Sequence, residues 1–123
     1  MGNNILIDYQ QHNTFIGEYI SLSKDGTKIA LGIPYYDHVL DDVNKTIRVD
    51  DGKVIVFEYR EINTQNDWDT LDIIKGSDSV FNSSAIKSYW VRYGDHFIGN
   101  NDQIGNGICL NYDGSILAFS SSK

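Results

Sequence analysis

The stretch NTFIGEYISLSKDGTKIA, residues 13–30, returns in outline as NDQIGNGICLNYDGSILA, residues 101–118. Each match lies 88 residues further on: Ile16 with Ile104, Gly17 with Gly105, Ile20 with Ile108, Leu22 with Leu110, Asp25 with Asp113, Gly26 with Gly114 and Ala30 with Ala118. The matches fall on apolar positions and turn residues, as expected of one supersecondary unit used twice. Ile20 and Leu22 alternate with Ser21 and Ser23, the two-residue period of a strand with one buried face. That pattern predicts Ile20 and Leu22 inward, Ser21 and Ser23 outward. Asp25-Gly26 supplies the left-handed positions of a tight hairpin, and the chain returns through Lys28 to Gly32.

Outward from this hairpin, Lys53 to Arg60 is rich in β-branched and aromatic residues and is entered through Asp51-Gly52, so it reads as a third strand. Trp68 to Lys75, closed by Gly76, reads as a fourth. No stretch shows a helical period. Four strands in succession form an antiparallel meander, and Ile5-Leu6-Ile7 is placed to serve as an outer strand of a preceding unit.

These pieces resemble the repeat of FG-GAP, integrin-α-like β-propellers, which runs GDxFGxSVxLSxDG into a hydrophobic strand and a GAP turn. Asn101 to Gly105, Leu110 and Asp113-Gly114 carry the first part of the likeness; Ile29 to Asp37 stands where the next strand and GAP turn fall. Gly52 to Tyr59 resembles the third strand and Trp68 to Gly76 the fourth. The resemblance implies one blade-like repeat over residues 13–76, an insertion over 77–93 and a partial second repeat over 94–120. Ile16 and Ile104 replace the Phe of the FG pair, Ile33 replaces the Ala of GAP, and Gly94 to Gly99 offers an alternative start for the second unit. A closed propeller needs at least about four blades and this chain offers about one and a half. The expected fold is therefore all-β, a single domain over 1–123 of antiparallel blade-like meander repeats, as a partial β-propeller or a small two-sheet β-sandwich.

Composition narrows the function. The 123 residues are 41% hydrophobic and 22% charged, and the net charge is -7. Such a field repels phosphate backbones and anionic lipid, and the ten basic residues form no block, so no nucleic-acid partner is expected. The N-terminus lacks a basic segment followed by an apolar core, and no run approaches the ~20 apolar residues of a membrane span, so neither a signal peptide nor membrane insertion is expected. Localisation stays unassigned. Cys109 is the sole cysteine and, between Ile108 and Leu110, reads as a small core residue.

No catalytic residue emerges. His12, His38 and His96 stand apart in sequence, there is no G-x-S-x-G, and nothing selects a carboxylate pair from Asp67, Asp69 and Asp72. A hydrolase reading is disfavoured. Propellers of this kind often hold calcium, but neither Asp37 to Asn44 nor Asn100 to Gln103 has alternating carboxylates with a closing Gly and a final acid, so no metal ligand and no cofactor is assigned. The candidate binding residues are aromatic: Tyr35 and Tyr36 in the turn that corresponds to GAP, and Tyr89, Trp90 and Tyr93 in the insertion. The chain therefore reads as a non-catalytic protein-binding or scaffolding module, docking on other chains or on copies of itself through sheet edges. By analogy such a module suits a larger assembly such as a virion or surface particle. The alternative is a lectin-like domain in which Tyr35, Tyr36 and Trp90 stack on sugar rings.

Overall fold

The computed structural model describes residues 19–41, 43–44 and 46–121. Ile5 to Ile7, His12 and the first part of the 13–30 stretch lie outside the described residues. Strands β1 (Tyr19–Leu22), β2 (Lys28–Ile33), β5 (Lys53–Ile62) and β6 (Lys87–Arg92) form one antiparallel sheet in the order β1-β2-β5-β6. A small ribbon of β3 (His38–Asp41) and β4 (Thr46–Arg48) stands between β2 and β5 in sequence. The second hairpin, β8 (Ile104–Leu110) with β9 (Leu117–Ser121), is a separate two-stranded sheet. The protein is thus all-β with antiparallel sheets, and the described residues close no barrel.

Three of the four predicted meander strands are present; the fourth is not where the sequence placed it. Gln65–Thr70 is a short helix, α1, rather than part of a strand. Thr64 caps it, its Oγ1 accepting the Asp67 N–H at 3.1 Å, and Asp67 lies in the first turn where the helix dipole favours negative charge. β6 comes instead from the stretch read as an insertion, with Tyr59 opposite Trp90 and Phe57 opposite Arg92. Tyr93 N–H then donates to Val56 C=O, the chain bulges at Gly94 (φ 72°), and β7 (Phe97–Ile98) resumes pairing at Val54 and Lys53. The outer edge of β6 is partly covered by main chain: Ile74 N–H donates to Trp90 C=O, and Arg92 N–H to Asp72 C=O, each at 2.9 Å.

Strand alternation divides the core between the two sheet faces. Leu31, Ile33, Ile55, Phe57 and Trp90 cluster on one face. On the other, Ala30 and Val56 receive Leu110, Ile108 and Leu117 of the second hairpin. Beyond them Ile62, Tyr89 and Val91 pack against Trp68 of α1, with Phe81 and Leu71 beside it.

The orientation of β1 is the reverse of the sequence expectation. Ile20 and Leu22 are 53% and 51% exposed, whereas Ser23 is 1% exposed and Ser21 Oγ accepts the Leu110 N–H at 3.0 Å. The second hairpin covers the serine side, and the small hydroxyls let its backbone approach. Close approach is tightest where Gly32 meets Gly105: a methyl on Gly32 would land on the Gly105 carbonyl. Cys109 is exposed rather than in the core, because its neighbours Ile108 and Leu110 take the inward positions of the alternation.

The two Asp-Gly turns are copies in geometry as well as sequence. Gly26 N–H donates to Ser23 C=O and Gly114 N–H to Asn111 C=O; Thr27 N–H donates to Asp25 Oδ1 and Ser115 N–H to Asp113 Oδ1, both at 3.0 Å. Ser23 Oγ accepts Lys28 N–H while Asn111 Oδ1 accepts Ile116 N–H, both at 2.9 Å. Only the glycines take left-handed φ, 78° and 73°; the aspartates act as acceptors.

Candidate functional site

The five aromatic candidates do not converge. Tyr89 and Trp90 sit inside strand β6, not on a loop, and both are buried. Trp90 is 4% exposed and packs on Tyr59 with ring centroids 5.1 Å apart. Both sheet faces are covered at this strand, so consecutive large residues are buried and the stretch carries no alternation to read. Tyr89 packs edge-on against Trp68 and donates its hydroxyl to Asp78 Oδ2 at 2.6 Å. Burial and that carboxylate raise its pKa to about 12, so the phenol stays protonated and keeps donating. Lys87 Nζ lies 3.2 Å from the same oxygen, at the rim of a cavity of about 300 Å³ between the 77–85 segment and the sheet.

Tyr35 and Tyr36 are half-buried at the exit of β2. Tyr36 lies beneath Lys53, whose Nζ is 4.6 Å from the ring centroid, and its pKa is raised by burial and by Asp51. Tyr93 alone is well exposed. Lys28 Nζ lies 5.1 Å from its ring, and Tyr93 and Phe97 line a cleft of about 250 Å³ where the sheet meets Leu117 of the second hairpin. Phe97 also packs on Phe119 at 5.2 Å.

One polar centre went unread in the sequence. The Asp51 side chain is fully buried and accepts Arg48 Nε at 2.8 and 2.6 Å and Asn101 N–H at 2.6 Å. His38 Nδ1 lies 3.6 Å from Asp51 Oδ2, too long for a hydrogen bond and an ion pair only when the ring is protonated. Around this carboxylate Asp50, Asn101 and Gln103 adopt φ values of 54°, 56° and 53°, a region that non-glycine residues rarely occupy. Its partners come from positions 38, 48 and 101, so no local motif announces it; the only signal is the acid in Asp51-Gly52 at a strand entry.

This centre has the connections of a clasp. Gly99 and Gln103 N–H donate to Gly52 and Asp50 C=O, Ile104 N–H donates to Asp51 C=O, and Arg48 Nη2 donates to Gly99 C=O. Nearby His96 has its pKa lowered, by burial first and then by Lys53 and Arg92, which favours a neutral ring able to accept from Arg92 Nη1 at 3.5 Å. Of the two loops considered for calcium, Asp37 Oδ1 accepts Asp50 N–H and Asp102 Oδ1 accepts Asn100 N–H. Among the described residues no three His, Cys, Asp or Glu side chains gather into a metal-binding group.

What the surface does display is apolar. Val39, Leu40, Val43, Ile47 and Val49 are all exposed on or beside the β3–β4 ribbon, and Val39 faces Ile47 across it. No helix of the described residues is long and apolar enough to cross a membrane. No protein-family model matches the chain, and neither does any curated protein or solved structure.

Proposed function

We propose that this chain is a non-catalytic protein-binding or scaffolding β-repeat module that works as part of a larger assembly. The supporting observation is the β3–β4 ribbon, whose Val39, Leu40, Ile47 and Val49 are held out from the sheet with their apolar side chains exposed. A two-stranded ribbon gains little by itself, and exposed apolar clusters on such arms are typical of surfaces that are covered by another protein. Its base is rigid, because Arg48 at the end of β4 is fixed to the buried Asp51 carboxylate. Rigid presentation lowers the entropy lost on docking. Burial of Trp90 favours this reading over sugar stacking, since the ring has no open face.

The test is the double variant Ile47→Asp with Val49→Asp. Native mass of the tagged chain in an extract of its source should exceed that of the tagged chain alone and be lower in the variant than in the wild type, with circular dichroism unchanged. A wild-type chain that runs as a lone monomer in that extract would refute the proposal.

A further inference from the structure

The chain contains a contact that its own repeat can continue. Inside the molecule, Ile108 and Leu110 of β8 and Leu117 of β9 lie on Ala30 and Val56, with Leu110 N–H bonded to Ser21 Oγ. The turns also meet: Asp25 N–H donates to Tyr112 C=O at 3.1 Å, and Lys28 Nζ reaches Asp113 C=O at 3.2 Å. The apolar side of the second hairpin is therefore seated on the small-residue side of the first.

Stepping back 88 residues, the counterparts of Ile108, Leu110 and Leu117 are Ile20, Leu22 and Ile29. Ile20 and Leu22 are exposed, and Ile29 is half-buried beside them. The counterparts of the receiving pair Ser21 and Ala30 are Cys109 and Ala118, likewise cross-strand partners, and both are exposed. Main-chain geometry agrees. Ser23 N–H donates to Lys28 C=O, so alternation along the antiparallel ladder makes Leu22 and Ile29 a non-hydrogen-bonded pair and turns Leu22 N–H away from β2. Leu110 N–H points away from β9 for the same reason, and that is the group Ser21 Oγ receives.

Each molecule thus leaves open the hairpin parts of both halves of a contact it has already made once, although Ile29 also packs on the core of the first sheet and the two-stranded second hairpin has no strand in the place of β5 and its Val56. We propose that a second copy of this chain docks head to tail, with Ile20, Leu22 and Ile29 of one copy over Cys109 and Ala118 of the next. The proposal rests on the protein-binding reading above and adds a second surface, whose partner is another copy of the chain. The contact continues the hairpin-on-sheet stack present within the chain, so it is heterologous and builds a ring or an open filament rather than a two-fold dimer. It is confined to the turn-proximal half of the hairpins, because the counterpart of Gly32 is Ser120, whose side chain bars a repeat of the Gly32–Gly105 crossing. A small apolar contact between molecules of charge -7 is weak at low ionic strength and strengthens as salt screens the repulsion.

The lone native thiol makes the register testable. Leu22→Cys in the full chain, treated with a short thiol-to-thiol cross-linker in moderate salt, should give a ladder of oligomers. Peptide mapping should join position 22 of one copy to Cys109 of another, several-fold above an Ile86→Cys control on the opposite segment. Leu22→Asp, at an already exposed position, should shift sedimentation toward monomer. Links at position 22 no more frequent than in the control, or dominated by position 22 joined to itself, overturn the head-to-tail contact. If these links are missing and the chain still co-migrates with a different protein in native electrophoresis, self-docking falls while the protein-binding reading survives. If it migrates alone, both fall.

Discussion

Asp25 and Asp113 show how one residue type serves the same purpose twice. Each carboxylate receives hydrogen bonds from the residue two positions on, and these bonds hold both groups below the usual carboxylate range. For Asp25 the largest cause is the Thr27 N–H; for Asp113 it is the Ser115 hydroxyl. A carboxylate bound more tightly as an anion in the folded state stabilises the fold above its unfolded pKa. That contribution is lost as pH falls from about 4 through the depressed folded values. Asn at these positions keeps the turn and the acceptor but removes the proton-linked part. The double variant Asp25→Asn with Asp113→Asn should therefore flatten the acid limb of stability against pH, read from urea midpoints between neutral pH and the acid transition. An acid limb as steep as the wild type's would show that other carboxylates control it.

At the scale of elements, α1 and β6 carry the clearest lesson. Trp68 is a core residue delivered by a helix too short to show a period, and it closes the face formed by Ile62, Tyr89 and Val91. Trp68→Ala should cost about 3–5 kcal/mol by chemical denaturation, against about 1 kcal/mol for the cap variant Thr64→Ala. If Trp68→Ala costs no more than the cap variant, α1 is not part of the cooperative core. The hairpins, the Asp-Gly turns and β5 were legible because alternation and turn chemistry are local. Alternation shows that Ile20 and Ser21 face opposite ways, but not which of those ways is inside; that depends on where the second hairpin lands, 88 residues away. Likewise the β-forming Leu71, Ile73 and Ile74 favour a strand locally, whereas the helix before them is set by the Thr64 cap and by the packing of Trp68. Tyr89 and Trp90, expected as binding residues of an insertion, are buried strand residues. Their burial follows from two covering layers that no local pattern encodes.

Over the whole molecule, the Asp51 clasp is where the first sheet, the ribbon and the entry to the second hairpin are tied together. The carboxylate is fully buried, while the Arg48 side chain is 34% exposed. The two halves of this ion pair should therefore respond unequally to mutation. Removing Arg48 strands a charge that has no route to water; replacing Asp51 leaves a guanidinium that can turn toward solvent. Arg48→Ala is expected to cost about 3–5 kcal/mol, and Asp51→Asn, which keeps an acceptor for Asn101 N–H, clearly less. The damage should be spatially selective. Gly99, Gln103 and Ile104 N–H all donate to carbonyls of residues 50–52, so their amide exchange should accelerate in Arg48→Ala before that of β2 or β5. Equal cost for the two variants, or exchange that rises uniformly across the sheet, would mean that the carboxylate is held by the strained loop around it and that Arg48 is incidental. The head-to-tail surface depends on the same clasp, because Cys109 and Ala118 are presented by a hairpin whose entry at Ile104 is bonded to Asp51. Loosening the clasp should therefore weaken cross-linking at position 22 in step with the exchange at residues 99–104.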